Sequence, residues 1–327
     1  MTYSSGGLIQ AADYNGFVST NVGANLNAVL NTAYGQTAVG TVAALGTVTA
    51  TQWASLVNST TSMGAHTVTT LTARTAPSAG QTINVLAAVN TDLTNIFTNR
   101  YNAVSVGSQF TGWSGTNSKT SQTGTDGGAV WTITFTNTIT WASAAAATYF
   151  FNAGGLIKID VAKSSTGLTG DPEWNDLATT LCGDIYVSGL ATAHTIAGVS
   201  YTGVTKTGGT GTPTTLSTGT GWDALVDGAG ATIVYKQFAD TAPYTANYIQ
   251  HTLAKSAGST ILTVSTTWVA ADTNVPPTGG TDPITGGTNA SGATPGTAPC
   301  TIVTYYPPET TNLSVTWGTP TVVATTV

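Results

Sequence analysis

The sequence predicts an α+β protein, with a small helical region over residues 1–105 and a mainly antiparallel β-sandwich or jelly-roll-like domain over residues 106–327. Three observations predict it. Apolar residues recur at three-to-four spacing through the first hundred positions, the period switches to two after about residue 106, and Gly- and Thr-rich turns separate the later apolar runs.

In the helical region, Leu8, Ile9, Ala12 and Phe17 make a first apolar set, and Val22, Leu26, Val29 and Leu30 a second. Gly16 and Gly23 argue against one continuous helix there. Thr51 to Asn58 places Trp53, Leu56 and Val57 behind candidate caps at Thr49 and Thr51. From Thr82 to Tyr101, Ile83, Leu86, Val89, Leu93, Ile96 and Phe97 form one stripe, with Asn84, Asn90, Thr91, Thr94 and Asn95 mostly opposite. Such stripes pack naturally as a small bundle. Their outer faces carry Asn and Thr in place of charge, which predicts that this region docks and oligomerises.

The β-region opens on its strongest strand. Trp131, Ile133, Phe135, Ile139 and Trp141 alternate with Thr132, Thr134, Thr136, Thr138 and Thr140. Each large apolar side chain buried contributes roughly 1.5–3 kcal/mol, and a one-residue slip would expose all five, so the register is well specified. Further strands are predicted at Leu156–Val161, Asp184–Ser188, Thr232–Phe238, Tyr248–Lys255, Thr260–Val269, Thr301–Tyr306 and Leu313–Trp317. Two short helices interrupt them. Ser143 caps Ala144–Phe151, which stops at Asn152-Ala153-Gly154-Gly155. Asp171-Pro172-Glu173 starts the other, with Trp174, Leu177 and Leu181 as its buried stripe and Gly183 as its end. Residues 272–299 hold five prolines and six glycines and read as a long exposed loop. Residues 203–221 read as a shorter excursion of the same kind.

Composition narrows the function. Only 7% of residues are charged, against roughly 25% in ordinary globular chains, while 41% are hydrophobic. The polar surface is therefore made of Thr, Ser, Asn and Gly, which suits a subunit held against neighbours. Net charge is −6, and the eight basic residues are scattered from Arg74 to Lys255. No basic stripe exists to neutralise phosphates or a lipid surface, and no apolar run is long enough for a spanning helix, so neither nucleic acid nor membrane insertion is predicted. The start, Met1-Thr2-Tyr3-Ser4-Ser5, lacks the features of a secretory leader, so cytoplasmic synthesis and release by lysis are the expectation. Cys182 and Cys300 are expected as buried free thiols.

Chemistry is sparse. His66, His194 and His251 are isolated, and His251 in its alternating strand reads as a hydrogen-bonded structural residue. Ser200 in Gly-Val-Ser-Tyr-Thr-Gly misses the nucleophile-elbow pattern by one position. Gly208-Gly209-Thr210-Gly211 lacks the lysine of a phosphate loop. Glu173 and Asp176 share a helix face, but Glu173 complements the helix dipole. Asp223 and Asp227 could face a cation, yet no calcium-loop pattern surrounds them. No catalytic residue, metal site or cofactor is predicted.

Four runs carry a resemblance. Ser4-Ser5-Gly6-Gly7-Leu8-Ile9-Gln10-Ala11-Ala12-Asp13-Tyr14-Asn15, Tyr34-Gly35-Gln36-Thr37-Ala38, Val48-Thr49-Ala50-Thr51-Gln52-Trp53 and Ala147-Thr148-Tyr149-Phe150-Phe151-Asn152-Ala153-Gly154-Gly155-Leu156-Ile157 resemble segments of virion structural proteins of tailed phages, especially those infecting cyanobacteria. The resemblance implies a virion location, as a tail fibre or baseplate-proximal part that makes a symmetric homo-oligomer, meets other tail or capsid proteins and touches the host surface, with a host glycan as a further partner. It implies no catalytic residues. The alternatives are a capsid decoration or collar protein, and a carbohydrate-binding adhesin using Trp113 and Trp222, although core packing is the favoured role for each tryptophan.

Overall fold

The computed structural model describes residues 9–21, 24–79, 81, 86–104, 115–118, 131–163, 171–242, 244–271 and 300–326. The predicted loop 272–299 and Trp113 lie outside these residues. The fold is α+β, with helices leading into antiparallel sheets.

Helix α1 (Ala11–Asn15) continues into a π-helical stretch, Gly16–Thr20, and a second π-helical stretch covers Ala28–Ala33. Helix α2 (Ala50–His66) begins on a reciprocal cap. The Thr49 hydroxyl accepts from the Gln52 N–H at 3.3 Å, and Gln52 Oε1 accepts from the Thr49 N–H at 2.9 Å. The helix runs eight residues beyond the predicted end at Asn58, because Thr60, Met63 and His66 extend the buried stripe of Trp53, Leu56 and Val57. Its hydroxyls do not interrupt it: Ser55, Thr60 and Thr61 each donate to the carbonyl four residues back. Helix α3 (Leu86–Thr98) buries Val89, Leu93 and Ile96 as the stripe requires.

Thirteen strands follow among the described residues: β1 (Gly115–Ser118), β2 (Trp131–Thr140), β3 (Leu156–Ala162), β4 (Asp184–Val187), β5 (His194–Ile196), β6 (Val199–Tyr201), β7 (Val204–Thr207), β8 (Thr215–Leu216), β9 (Thr232–Phe238), β10 (Tyr248–Lys255), β11 (Ile261–Ala270), β12 (Cys300–Tyr306) and β13 (Thr321–Thr326). One sheet has the order β1-β12-β3-β4-β7, a second the order β13-β2-β11-β10-β9-β8, and β5-β6 form a separate hairpin. All pairings are antiparallel. The ribbon β1–β2 lies along the ribbon β12–β11, which is the nested pairing of a jelly roll; the inner strands β8 to β11 run instead as a meander. Val204 N–H donates to the Ser217 carbonyl at 3.4 Å, so the two sheets also meet beside β7 and β8.

The alternation in β2 sets the core. Ile133, Phe135 and Ile139 are buried, as is Trp141 just beyond the strand, and β2 pairs with β11 along its whole length from Trp131↔Ala270 to Thr140↔Ile261. Leu262, Val264 and Trp268 face inward from β11, and Ile157, Ile159 and Val161 from β3. Helix α4 (Ala144–Asn152) starts at Ser143, whose hydroxyl accepts from the Ala146 N–H at 3.1 Å, and delivers Phe150 and Phe151 against Trp141. It ends where Gly154 takes φ +95, and a Cβ there would meet the Ala103 side chain at 2.4 Å. Helix α5 (Asp171–Asp176) passes into a π-helical stretch, Leu177–Cys182, that touches β3 of one sheet and β9 and β10 of the other. It wedges between the sheets, with Trp174 against Trp268.

Strands β1, β5, β6 and β13 form where none is predicted, and two further regions differ from expectation. Residues 203–221 contain β7 and β8, and the Gly208-Gly209-Thr210-Gly211 run caps the wedge. Thr210 and Gly211 N–H groups donate to the Thr180 and Leu181 carbonyls at 2.8 and 3.1 Å. Leu313–Trp317 is not a strand. Leu313 and Trp317 are buried, while the backbone between them pairs with one side chain: Gln36 Nε2 donates to the Ser314 carbonyl at 2.8 Å, and Gln36 Oε1 accepts from the Ser314 N–H at 2.9 Å.

That contact belongs to a seam joining the first hundred residues to the last twenty. Thr316 donates to the Tyr34 carbonyl at 2.6 Å, and Asn152 Nδ2 to the Ala33 carbonyl at 3.1 Å. At Gly35 (φ +67) a Cβ would sit 2.3 Å from the Tyr149 ring. Deepest in the seam, His66 Nδ1 lies 2.9 Å from Glu309 Oε1, with both side chains fully buried, and Glu309 Oε2 accepts from the Thr311 and Asn312 N–H groups at 2.5 and 3.0 Å. Buried residues of the helices and of both sheets form one continuous cluster.

Burial raises the Glu309 carboxyl, but the hydrogen bonds from His66 and Asn312 outweigh it and hold the group below its usual range. A depressed carboxylate stabilises the fold above its unfolded pKa, roughly 4.3, and loses that contribution as pH falls through the folded value. Glu309→Gln should therefore cost about 2 kcal/mol at neutral pH, and the gap in melting temperature from wild type should close below about pH 4. An unchanged gap from neutral to acid pH would contradict this.

Candidate functional site

On the outward face of the five-stranded sheet, sequence alternation puts Lys158 and Asp160 on β3, Asp184 and Tyr186 on β4, and Tyr306 on β12. The register brings them together: Lys158 is opposite Tyr186 and Thr304, Tyr306 is opposite Leu156, and the next outward row sets Asp160 beside Asp184. The β5–β6 hairpin adds Tyr201. Its ring centroid lies 5.5 Å from that of Tyr186, and the Tyr186 and Tyr306 centroids are 5.9 Å apart. Tyr201 is itself buried with Ala103, Leu156 and Ile196 in a small apolar cluster against which Tyr186 and Tyr306 pack, and this anchors the hairpin to the sheet.

Lys158 organises the charges. Its Nζ is 2.9 Å from Asp184 Oδ2 and 3.8 Å from Asp160 Oδ2. The lysine side chain is 20% exposed and the two carboxylates 36% and 34%, so the trio is reachable from solvent yet partly dehydrated. Burial raises the Asp160 carboxyl, partly offset by Lys158. Burial lowers Lys158, and its hydrogen bond and attraction to Asp184, with attraction to Asp160, reverse that into a net rise. Burial, with Tyr306 and Asp184 nearby, pushes Tyr186 up to about 12, so its hydroxyl stays protonated as a donor. Elsewhere the outward strand positions of this chain carry mostly Thr. Three charges and two half-buried phenols, Tyr186 and Tyr306, on one patch therefore stand out chemically.

The residues singled out in the sequence lie elsewhere. His251 is buried and accepts or donates at Nδ1 to Thr266 Oγ1 at 2.9 Å, stacked on Tyr235. Burial lowers its pKa to about 3, so it is a neutral structural residue, as its strand position predicts. His194 Nδ1 meets the Thr192 carbonyl at 2.9 Å. Cys182 is a buried free thiol whose pKa burial raises to about 12; the Cys300 side chain lies outside the described residues. Asp227 is committed to Lys255 at 2.8 Å and to the Ser259 hydroxyl. Ser200 sits exposed in the β5–β6 hairpin. Trp222 is 2% exposed and stacked on Phe151 at 5.2 Å, which is the core packing favoured for it and not the exposed sugar-binding role of the adhesin alternative. Among the described residues, no three His, Cys, Asp or Glu side chains converge as a metal site.

No family model, curated protein or solved structure matches the chain. The patch is therefore judged by its chemistry. Phenol faces offer C–H stacking, carboxylates accept and the ammonium donates, which is the equipment for holding a polyol. It is poor equipment for glycoside hydrolysis, which needs one carboxyl free to donate a proton and a second free to attack or activate water. Lys158 ties up both.

Replacing that lysine tests the electrostatics. Lys158→Met leaves two carboxylates facing each other across neighbouring strands, which should cost about 1 kcal/mol near pH 7. Without the ammonium, the Asp160 carboxyl, raised by burial and by Asp184 beside it, rises further, so folding takes up protons and the penalty should shrink toward pH 4. A penalty that is flat with pH would mean that the two aspartates do not sense each other.

Proposed function

We propose that this chain is a non-enzymatic structural protein of a tailed-phage virion, a tail-fibre or baseplate-proximal component that assembles as a symmetric homo-oligomer and meets the host surface. The resemblance of its four sequence runs supports the location. The scarcity of charge supports a life spent against neighbouring subunits, because burying net charge is the expensive event in forming an interface.

The observation that carries the host-contact part is the Lys158–Asp160–Asp184 trio with the half-buried Tyr186 and Tyr306, which pack on the cluster of the buried Tyr201. These are recognition groups without a free acid–base pair. Their sum is one negative charge, so a neutral, hydroxyl-rich glycan fits better than a uronic or sialylated one. On this reading the glycan contact is a sheet face rather than Trp222, which is buried. The capsid decoration and collar alternatives use the same residues and differ only in position on the particle.

Two measurements test the proposal together. Gold-labelled antibody against the chain should mark tails in intact particles, and the purified protein should bind neutral host polysaccharide without shortening it. Asp184→Asn with Tyr306→Ala should weaken that binding at least about tenfold, or roughly 1.4 kcal/mol, with little change in melting temperature. Label on capsids, release of oligosaccharides, or equal binding by the variant would each overturn the corresponding part.

A further inference from the structure

The outward face of the six-stranded sheet is almost free of charge. Reading across β13, β2, β11, β10 and β9, its rows are Val323–Thr138–Thr263–Ala254, then Thr325–Thr136–Ser265–Thr252–Ile233, then Thr134–Thr267–Gln250–Lys236, then Thr132–Val269–Tyr248–Phe238. Hydroxyls on adjacent strands meet, with Thr134 and Thr267 at 3.4 Å and Thr136 and Ser265 at 3.2 Å. The one ionic group in these rows, Lys236, lies on β9 opposite Thr215 of the short edge strand β8, with its Nζ 3.6 Å from the Tyr248 ring centroid and 4.6 Å from that of Phe238.

We infer that this face is where two copies of the chain meet, sheet against sheet, about a twofold axis running along β11. The inference rests on the assembly reading above and names its surface. Two features select a second copy as the occupant. The first is charge. Copies that each carry −6 repel in most orientations, and here they can meet with no like charges opposed. The second is symmetry. β11 is the middle of these five long strands, with the two-residue β8 lying beyond β9, and the exposed apolar residues Val323 (62%) and Ile233 (45%) sit on the outer two of the five, β13 and β9. Rotation about β11 lays β13 of one copy over β9 of the other, so each Val323 comes down beside the partner strand that bears Ile233. The same rotation puts the two Lys236 side chains at opposite edges of the contact.

The area is sufficient. Five strands about 4.8 Å apart, averaging about eight residues at about 3.4 Å each, give a face of roughly 650 Å². A symmetric pair would bury roughly 1,300 Å², within the approximately 1,200–2,000 Å² of stable specific interfaces. The helical region is less suited. Asn15 and Asn27 each pair in both directions with backbone, at Val42 and Val39 respectively, so these amides are already engaged within the chain.

Sedimentation of the full chain over a range of concentrations reads the inference directly. A reversible dimer is expected. Thr136→Lys with Ser265→Lys should weaken it at least about a hundredfold, the equivalent of roughly 2.7 kcal/mol, and Val323→Lys alone by about tenfold. Thr91→Lys on the exposed side of α3 should leave it intact. The single Val323→Lys change lies on an exposed edge, so it keeps the test open if the double variant does not fold. A chain that stays monomeric at the highest concentration, or one whose dimer is broken by Thr91→Lys and not by the sheet variants, overturns the inference. A dimer from a chain absent from particles would instead sink the virion reading and leave this surface standing.

Discussion

The full-length pairing of β2 with β11 is the constraint on which the rest of the molecule depends. Ten residues of β2 face ten of β11 without a slip. One set of alternate positions, Ile133, Phe135 and Ile139, is the floor of the core, and the other, Thr132 to Thr140, is the hydroxyl face of the sheet. A shift by one residue would exchange the two sets, burying a row of threonines and exposing the apolar row. The polar interior of this sheet is limited and partnered where it matters: His251 is held by Thr266, and the Tyr235 hydroxyl donates to the Cys182 carbonyl at 3.0 Å, tying the wedge helix to the strand register. Asn137 departs from this pattern. It is fully buried in β2 and its amide has no hydrogen-bond partner among the described residues.

From that floor the helices are built outward. Trp141, Phe150, Phe151 and Trp222 form an aromatic plug with ring centroids 5.1–5.5 Å apart, and α4 hands the chain from plug to sheet through Gly154. The N-terminal helices do not close a core of their own in the described structure. Their stripes enter the same apolar cluster as the sheets, and the seam of Gln36, Tyr34 and His66 with Ser314, Thr316 and Glu309 fastens them. Chain ends distant in sequence thereby share one set of buried polar bonds. Breaking any partner in that seam leaves an unpaired group in a dry place, where it costs most.

The sequence disclosed what periodicity can carry. β9 and β10 lie where alternation predicts them, and Ser143 and Thr49 cap the helices that they precede. Strands of two or three residues hold no measurable period; β5, β6 and β8 are defined by their partners. Leu313–Trp317 has a strand's alternation, yet a glutamine side chain supplies its pairing, and no local pattern encodes that. The end of α2 was hidden by Ser59, Thr60, Thr61 and Ser62, whose weak helix preference is overridden by burial on one side and back-bonded hydroxyls on the other. The Tyr–Asp–Lys patch was invisible for a topological reason. Its members come from β3, β4, β6 and β12, and β12 joins β3 from almost 150 residues away. The available hint was charge itself, since Lys158 and Asp160 take outward strand positions that this chain elsewhere gives to threonine.

The central claim is that one strand presents its two faces to two different worlds, core and surface, and thiol labelling reads this residue by residue. Single cysteines placed at Ile133, Thr134, Phe135, Thr136, Thr138 and Ile139 would be exposed to a small alkylating reagent in the native protein, and their rates compared with the unfolded chain. Period-two alternation is predicted, with 134, 136 and 138 labelled readily and 133, 135 and 139 protected until unfolding. Uniform rates, or protection recurring every three to four residues, would contradict the account.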